Sequence, residues 1–171
     1  MSVKATPDVP GTEMIKIREG EPEEAEKLSA LCFASKNHWG YSDQFMASCR
    51  EELSITAHDF ENDTILVAEH QSDTAGVAQL KNSPEESELE KLFIAPKFIG
   101  HGVGKALFAK TIETLKTHHV NLKPSAKHLK IVSDPYAKDF YLKMGAVDAG
   151  TEASKTWPNR ELPVLHYPLQ D

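Results

Sequence analysis

Apolar residues first alternate along this chain, then recur at spacings of three and four, and the two rhythms trade places several times. Met14 to Arg18 alternates as a short strand, and Pro22 opens a helix whose Ala25, Leu28, Leu31 and Cys32 share a face. After the turn Asn37-His-Trp-Gly-Tyr, Ser42 can cap a second helix carrying Phe45, Met46, Cys49 and Leu53. Thr64 to Glu69 and Ala75 to Leu80 are β-leaning runs joined by a polar turn at Gln71 to Thr74, which predicts a hairpin. Ser87 to Ala95 is the next strand. It runs into a glycine-dense turn and then a helix with Val103, Leu107, Phe108, Ile112 and Leu115 on one side. Leu129 to Ser133 returns as a strand. A short helix follows, with Asp134 at its N-cap, Pro135 at its first position, Gly145 past its end, and Ala137, Phe140, Tyr141 and Met144 on one face. Ala146 to Ala149 and Pro163 to Tyr167 are the last strand candidates. The order β, α, α, β, β, β, α, β, α, β, β predicts one mixed sheet covered by helices.

The turn from Phe98 to Lys105 carries the first chemical signal. Gly100, Gly102 and Gly104 free the backbone and leave its N–H groups uncovered, and the helix that opens there adds the positive end of its dipole, so the segment suits a phosphate. A Walker loop would need Gly at position 99 and Ser or Thr at 106, where Ile99 and Ala106 stand. The dinucleotide fingerprint Gly-x-Gly-x-x-Gly also fails, because these glycines alternate. A plain glycine-rich turn into a helix is the other reading of the same residues.

The pattern resembles the acetyl-CoA loop of the GNAT superfamily of N-acetyltransferases: Arg or Gln, two free positions, Gly, one free position, Gly or Ala. Gly102 and Gly104 fill the glycine positions; Ile99 replaces the first polar residue. In the later helix Ala137, Phe140, Tyr141, Gly145 and Ala146 follow the family's Ala-x-x-Phe-Tyr…Gly order, with Asp134 where Asn is commoner. The resemblance covers roughly Met14 to Leu169. It implies an α/β (α+β) fold with a twisted, mostly antiparallel mixed sheet of six to seven strands flanked by about four helices. It also implies an N-acetyltransferase that passes the acetyl group of acetyl-CoA directly to a primary amine in a ternary complex. A non-catalytic acyl-CoA-binding or regulatory module is the alternative.

Under that resemblance, main-chain amides of Phe98, Ile99, Gly100, His101, Gly102, Val103, Gly104 and Lys105 hold the pyrophosphate, and the Lys105 side chain adds a charged contact. Leu92, Phe93 and Ile94 pair with the pantetheine and present an N–H to the thioester oxygen, with Asp134 also on the coenzyme side. Tyr141 resembles the family's general acid near the coenzyme sulfur, although its helical face alone reads as core. Glu88 and Glu90 point to the same side of an alternating strand, so either can deprotonate the amine directly or through water, and Glu88 better fits the position of a base in some members. His38, Trp39 and Tyr41 either line the acceptor pocket or staple two helices to the core. No metal-ligand motif is present, so no metal is expected.

Length and charge bound the rest. At 171 residues the chain is long enough for one cored domain, expected over 14–171, after a disordered leader at 1–13. Nineteen Lys and Arg against 26 Asp and Glu give a net charge of −7, which disfavours nucleic acid and suits a small-molecule or peptide amine. Cys32 and Cys49 read as buried residues of a reducing, cytoplasmic protein without a membrane segment. A homodimer is expected by analogy, with the apolar run Pro163 to Leu169 as a candidate edge.

Overall fold

The computed structural model describes residues 14–83, 86–121 and 127–169; the expected leader at 1–13 lies outside the described residues. Its strands are β1 (Ile15–Glu19), β2 (Thr64–His70), β3 (Asp73–Asn82), β4 (Ser87–Ile94), β5 (His128–Val132), β6 (Val147–Ala153) and β7 (Glu161–Pro168). Its α-helices are α1 (Ala25–Asn37), α2 (Asp43–Ser48), α3 (Asp59–Asn62), α4 (Val103–Asn121) and α5 (Lys138–Lys143). The strands form one sheet in the order β1-β2-β3-β4-β5-β7-β6, antiparallel throughout except where β5 runs parallel to β4. This is the mixed α/β sheet expected, with one short extra helix, α3.

The alternation inside β2 separates two cores. Leu66 and Ala68 join Val103, Leu107, Phe108 and Leu115 of α4 on one face, while Ile65 and Val67 meet Leu28, Cys32, Phe45 and Met46 of α1 and α2 on the other. Fully burying each large aliphatic or aromatic side chain contributes about 1.5–3 kcal/mol, which fixes the register of the central strands. The predicted hairpin closes in two residues: Gln71 and Ser72 both take positive φ, +52° and +71°. Ser42 caps α2 as expected, accepting from the Phe45 N–H at 3.1 Å.

Two features depart from the sequence reading. The run Pro163 to Leu169 does not supply an edge, because β7 is bonded to β5 on one side and β6 on the other. The edges of the sheet are β1 and β6. Simple alternation also breaks within β4: Gln79 faces Lys91 while Leu80 faces Leu89, so Glu90 is the extra residue of a β-bulge. Leu89 and Leu92, three apart, therefore share the α4 face, and Phe93 joins the α1 side.

Candidate active site

β4 and β5 pair only from Ser87 to Leu89 against Leu129 to Ile131. Beyond the bulge the two strands part, and the rest of β4 lacks a neighbour on that side. A cleft of about 450 Å³ fills the gap. Leu92, Phe93 and Ile94 line one wall, where the N–H and C=O groups of Leu92 and Ile94 point toward β5 with no strand to pair with, while those of Phe93 face β3. An extended chain bearing amides can complete such an edge.

The glycine turn closes the far end of the cleft. Gly100 and Gly102 have φ of +86° and +82°, a region that side chains disfavour, so the expected freedom is used. Val103 then starts α4, and the N–H groups of Gly102, Val103, Gly104 and Lys105 find no acceptor among the described residues, as the first turn of a helix dictates. Phe98, Ile99, Gly100, Gly102, Val103, Gly104 and Lys105 all line the cleft. His101 does not. Its ring turns away, edge-on to His70 at 5.6 Å, and the N–H groups of Phe98, Ile99 and His101 already donate to the carbonyls of Ala95, Pro96 and Phe98, so these three amides are not free as expected. At Gly104 a Cβ would lie 3.4 Å from the Phe140 ring, an ordinary packing contact, so the approach of α5 does not by itself require glycine there.

Tyr141 is 6% exposed and packs against Phe108 and Phe140, which satisfies the core reading. It also lines the cleft. Its hydroxyl has no hydrogen-bond partner among the described residues, yet it is not a sealed polar atom, so it opens to the cavity. Burial, and secondarily the Asp134 carboxylate, pushes the phenol above its ordinary pKa and keeps it a proton donor. Core residue and cleft residue are one and the same here.

A second cavity, also about 450 Å³, lies beside the first and shares Lys91, Phe93, Ser133 and Asp134 with it. Glu88 and Glu90 both line it, and Glu90, the extra residue of the bulge, lines the first cavity as well. Glu88 is half-buried, and desolvation, then the charge of Glu90, raises its pKa. Glu90 is exposed and 3.9 Å from Lys81.

Asp134 keeps its capping role, accepting from the Tyr136 N–H at 3.0 Å. It is also the hub of a network that sequence could not show. The Tyr41 hydroxyl donates to its carboxylate at 2.8 Å, Arg160 donates to the Tyr41 oxygen at 2.9 Å, and Lys36 and Arg160 stand 3.5 and 3.6 Å from the same carboxylate. Burial, then Asp134, raises the Tyr41 phenol pKa. Tyr41 thus ties α1, the turn after β5 and the β6–β7 connection together, closer to the staple reading. Trp39 does line the first cavity, stacked on Tyr136 with centroids 5.1 Å apart. His38 lines neither cavity and rests edge-on against Trp39.

Sequence reasoning missed Lys36, Arg160, Tyr136 and Lys91. Lys91 alone left a signal, a cation flanked by Leu89, Leu92 and Phe93, although the neighbouring Glu88 and Glu90 make it read as a solvated charge. Among the described residues no cluster of three or more His, Cys, Asp or Glu is placed to hold a metal, and no helix is long and apolar enough to cross a membrane. Cys32 and Cys49 are free and buried, and burial pushes the Cys32 thiol up to about 12.

Comparison with known proteins gives the same fold. A GCN5-related N-acetyltransferase from Rhodopseudomonas palustris superposes with a TM-score of 0.73 at 21% identity, over 92% of this chain and 97% of the other. The PaiA N-acetyltransferase of Thermoplasma acidophilum, solved with coenzyme A, gives 0.73 at 18% over 90% and 98%. The ribosomal-protein-S18-alanine N-acetyltransferase of Escherichia coli gives 0.66 at 16% over 92% and 96%. No curated protein sequence matches the chain. Residues 30–158 match the acetyltransferase (GNAT) domain. That span takes in the end of α1, the parted strands, the glycine turn and the Tyr141 helix together, and by this match the chain belongs to the GNAT acetyltransferase family.

Proposed function

We propose that the protein is an acetyl-CoA-dependent N-acetyltransferase that moves the acetyl group directly to a primary amine. The observation that carries the reading is the junction of two cavities at Ser133 and Asp134, one walled by free main-chain groups and ended by a helix N-terminus, the other holding Glu88. In this reading the amides of Gly102 to Lys105 hold the pyrophosphate, and the open edge of Leu92 to Ile94 pairs with the pantetheine. An N–H of that edge donates to the thioester oxygen as charge gathers there. The solved PaiA complex with coenzyme A supports the choice of coenzyme.

Glu88 takes a proton from the incoming ammonium, directly or through water, and frees the lone pair. The amine nitrogen bonds to the acyl carbon as the carbon–sulfur bond breaks. Tyr141 gives its proton to the departing thiolate, and its raised pKa keeps that proton in place until then. The bonded nitrogen then releases its second proton through the water of the open cleft, from which the Tyr141 phenolate is reprotonated, and Glu88 gives its own proton to solvent.

Titration of the purified protein with acetyl-CoA, followed by release of free CoA across a panel of primary amines, tests the reading. Tyr141→Phe should keep coenzyme affinity and lower kcat by about 100-fold or more, the usual scale of a positioned acid. Binding without release of CoA for any amine would identify a coenzyme-binding module instead. An unchanged rate in Tyr141→Phe would remove that residue from the mechanism.

A further inference from the structure

Charges taken out of water need opposite charges beside them, because desolvation costs several kcal/mol per ion. Lys91 lacks that company. It is 7% exposed, lines both cavities, and among the described residues its one hydrogen bond goes to a neutral group, the Gln79 Oε1 at 3.0 Å. Gln79 is 1% exposed and donates through Nε2 to Asp63 at 2.7 Å, which fixes its amide with the oxygen toward Lys91. The ammonium is aimed by a neutral strut and keeps further N–H donors for whatever enters.

The carboxylates of the second cavity have other partners. Glu90 faces Lys81 at 3.9 Å, Glu152 faces Lys130 at 3.1 Å, and Asp134 is shared by Lys36 and Arg160. Glu52 accepts from Thr156, while Glu51 and Lys155 are exposed at the rim. Glu88 remains, half-buried and without an ion pair among the described residues. One cavity therefore holds one unpaired, sequestered carboxylate and one unpaired, buried ammonium. They stand three residues apart on β4, about 10 Å of strand that the bulge shortens and two long side chains can span.

We infer that the acceptor is an amino-acid-type zwitterion, with its amine facing Glu88 and its carboxylate accepting from Lys91. This rests on the transferase reading above and adds the chemical class of its acceptor. Lys91 is a specificity-determining residue in it: its ammonium recognises the group next to the reacting amine and takes no part in proton transfer.

The test uses matched triplets of acceptors, each a free amino acid, its amide and its decarboxylated amine, with CoA release as the readout. The free acid should exceed the decarboxylated amine in kcat/KM by about tenfold or more, the worth of one charge-assisted hydrogen bond. Lys91→Met should shrink that ratio to about twofold or less, mainly through KM. Lys91→Met keeps the volume and removes the buried charge but leaves the Gln79 Oε1 without its donor, so a melting curve checks that the variant folds. Should it not fold, the wild-type triplets decide. Decarboxylated amines used as well as the acids, or a preference that survives Lys91→Met, would overturn this inference and leave the transferase reading intact. Coenzyme binding with no turnover for any member would overturn both.

Discussion

The two cavities have the same volume and opposite walls. The first is made of main chain, glycine and apolar side chains, and nearly all of it comes from two continuous segments, β4 through the start of α4 and the turn into α5. The second is rich in charged side chains, brought from α1, the turn after α2, β4, the turn after β5, β6 and the β6–β7 connection. A wall of main chain binds by backbone geometry, which tolerates sequence change as long as the glycines remain. Ile99 in place of a polar residue illustrates this, since it is 37% exposed at the mouth and leaves the amides in place. A wall of side chains binds by charge, and a single substitution changes what it accepts.

Changing Glu88, the base proposed for the second cavity, should break this contrast most sharply. Glu88→Gln keeps the shape of the wall and removes the base, so kcat/KM should fall by about 100-fold while acetyl-CoA affinity is unchanged. The wild-type rate should rise with pH as Glu88 loses its proton, and burial places that rise above the ordinary Glu range. The variant should lose this limb. Stability should move the other way. Because the folded-state pKa is raised, the contribution of Glu88 to stability is present below its unfolded pKa and is lost as pH climbs through the folded value. At neutral pH Glu88→Gln should thus melt no lower than wild type. A rate limb unchanged in the variant would assign the base elsewhere.

The hub between the cavities comes next in expected size. Asp134, Lys36 and Arg160 have side chains only 17%, 11% and 18% exposed, so Asp134→Ala would leave two sequestered cations facing each other and free the Tyr41 hydroxyl. Breaking one side of such a cluster costs about 3 kcal/mol, readable as a shift in the denaturation midpoint. Asp134→Asn keeps the acceptor for Tyr41 and the cap on the Tyr136 N–H, and should recover part of the loss. Equal losses for the two would show that the charge, rather than the hydrogen bonds, holds the segments together.

What the sequence disclosed follows the same division. The glycine turn, the strand before it and the Tyr141 helix were legible because their signals are local: φ > 0 favours glycine, a cap favours Asp or Ser, and a core face repeats every three or four residues. The bulge at Glu90 was not, since it depends on how β3 opposes β4 and leaves no composition signal. The place of β7 inside the sheet depends on the return of β6 along its far side, a choice of topology. Arg160 meets Tyr41 across 119 positions of sequence, and neither residue announces the other. His101 was assigned with its glycine neighbours by position alone, and packing against His70 and Phe98 turned its ring elsewhere.

The smallest predicted effect tests whether the first cavity depends on the core behind it. Gly76 of β3 lies opposite Ile94, and a Cβ there would meet Leu107 Cδ1 at 2.8 Å, Ile94 Cδ1 at 3.0 Å and the Phe93 carbonyl oxygen at 3.1 Å. Leu107 is fully buried and has nowhere to retreat, and the carbonyl belongs to the strand whose other edge walls the cleft. Gly76→Ala should cost about 1–3 kcal/mol by overpacking, measured by denaturant unfolding. Because the strain falls on Phe93 and Ile94, part of it should push β4 toward β5 and weaken acetyl-CoA binding by a few-fold, even though residue 76 touches neither cavity. A variant that loses stability but binds acetyl-CoA as wild type does would show that the cleft wall holds its shape without the core pressing on it from β3.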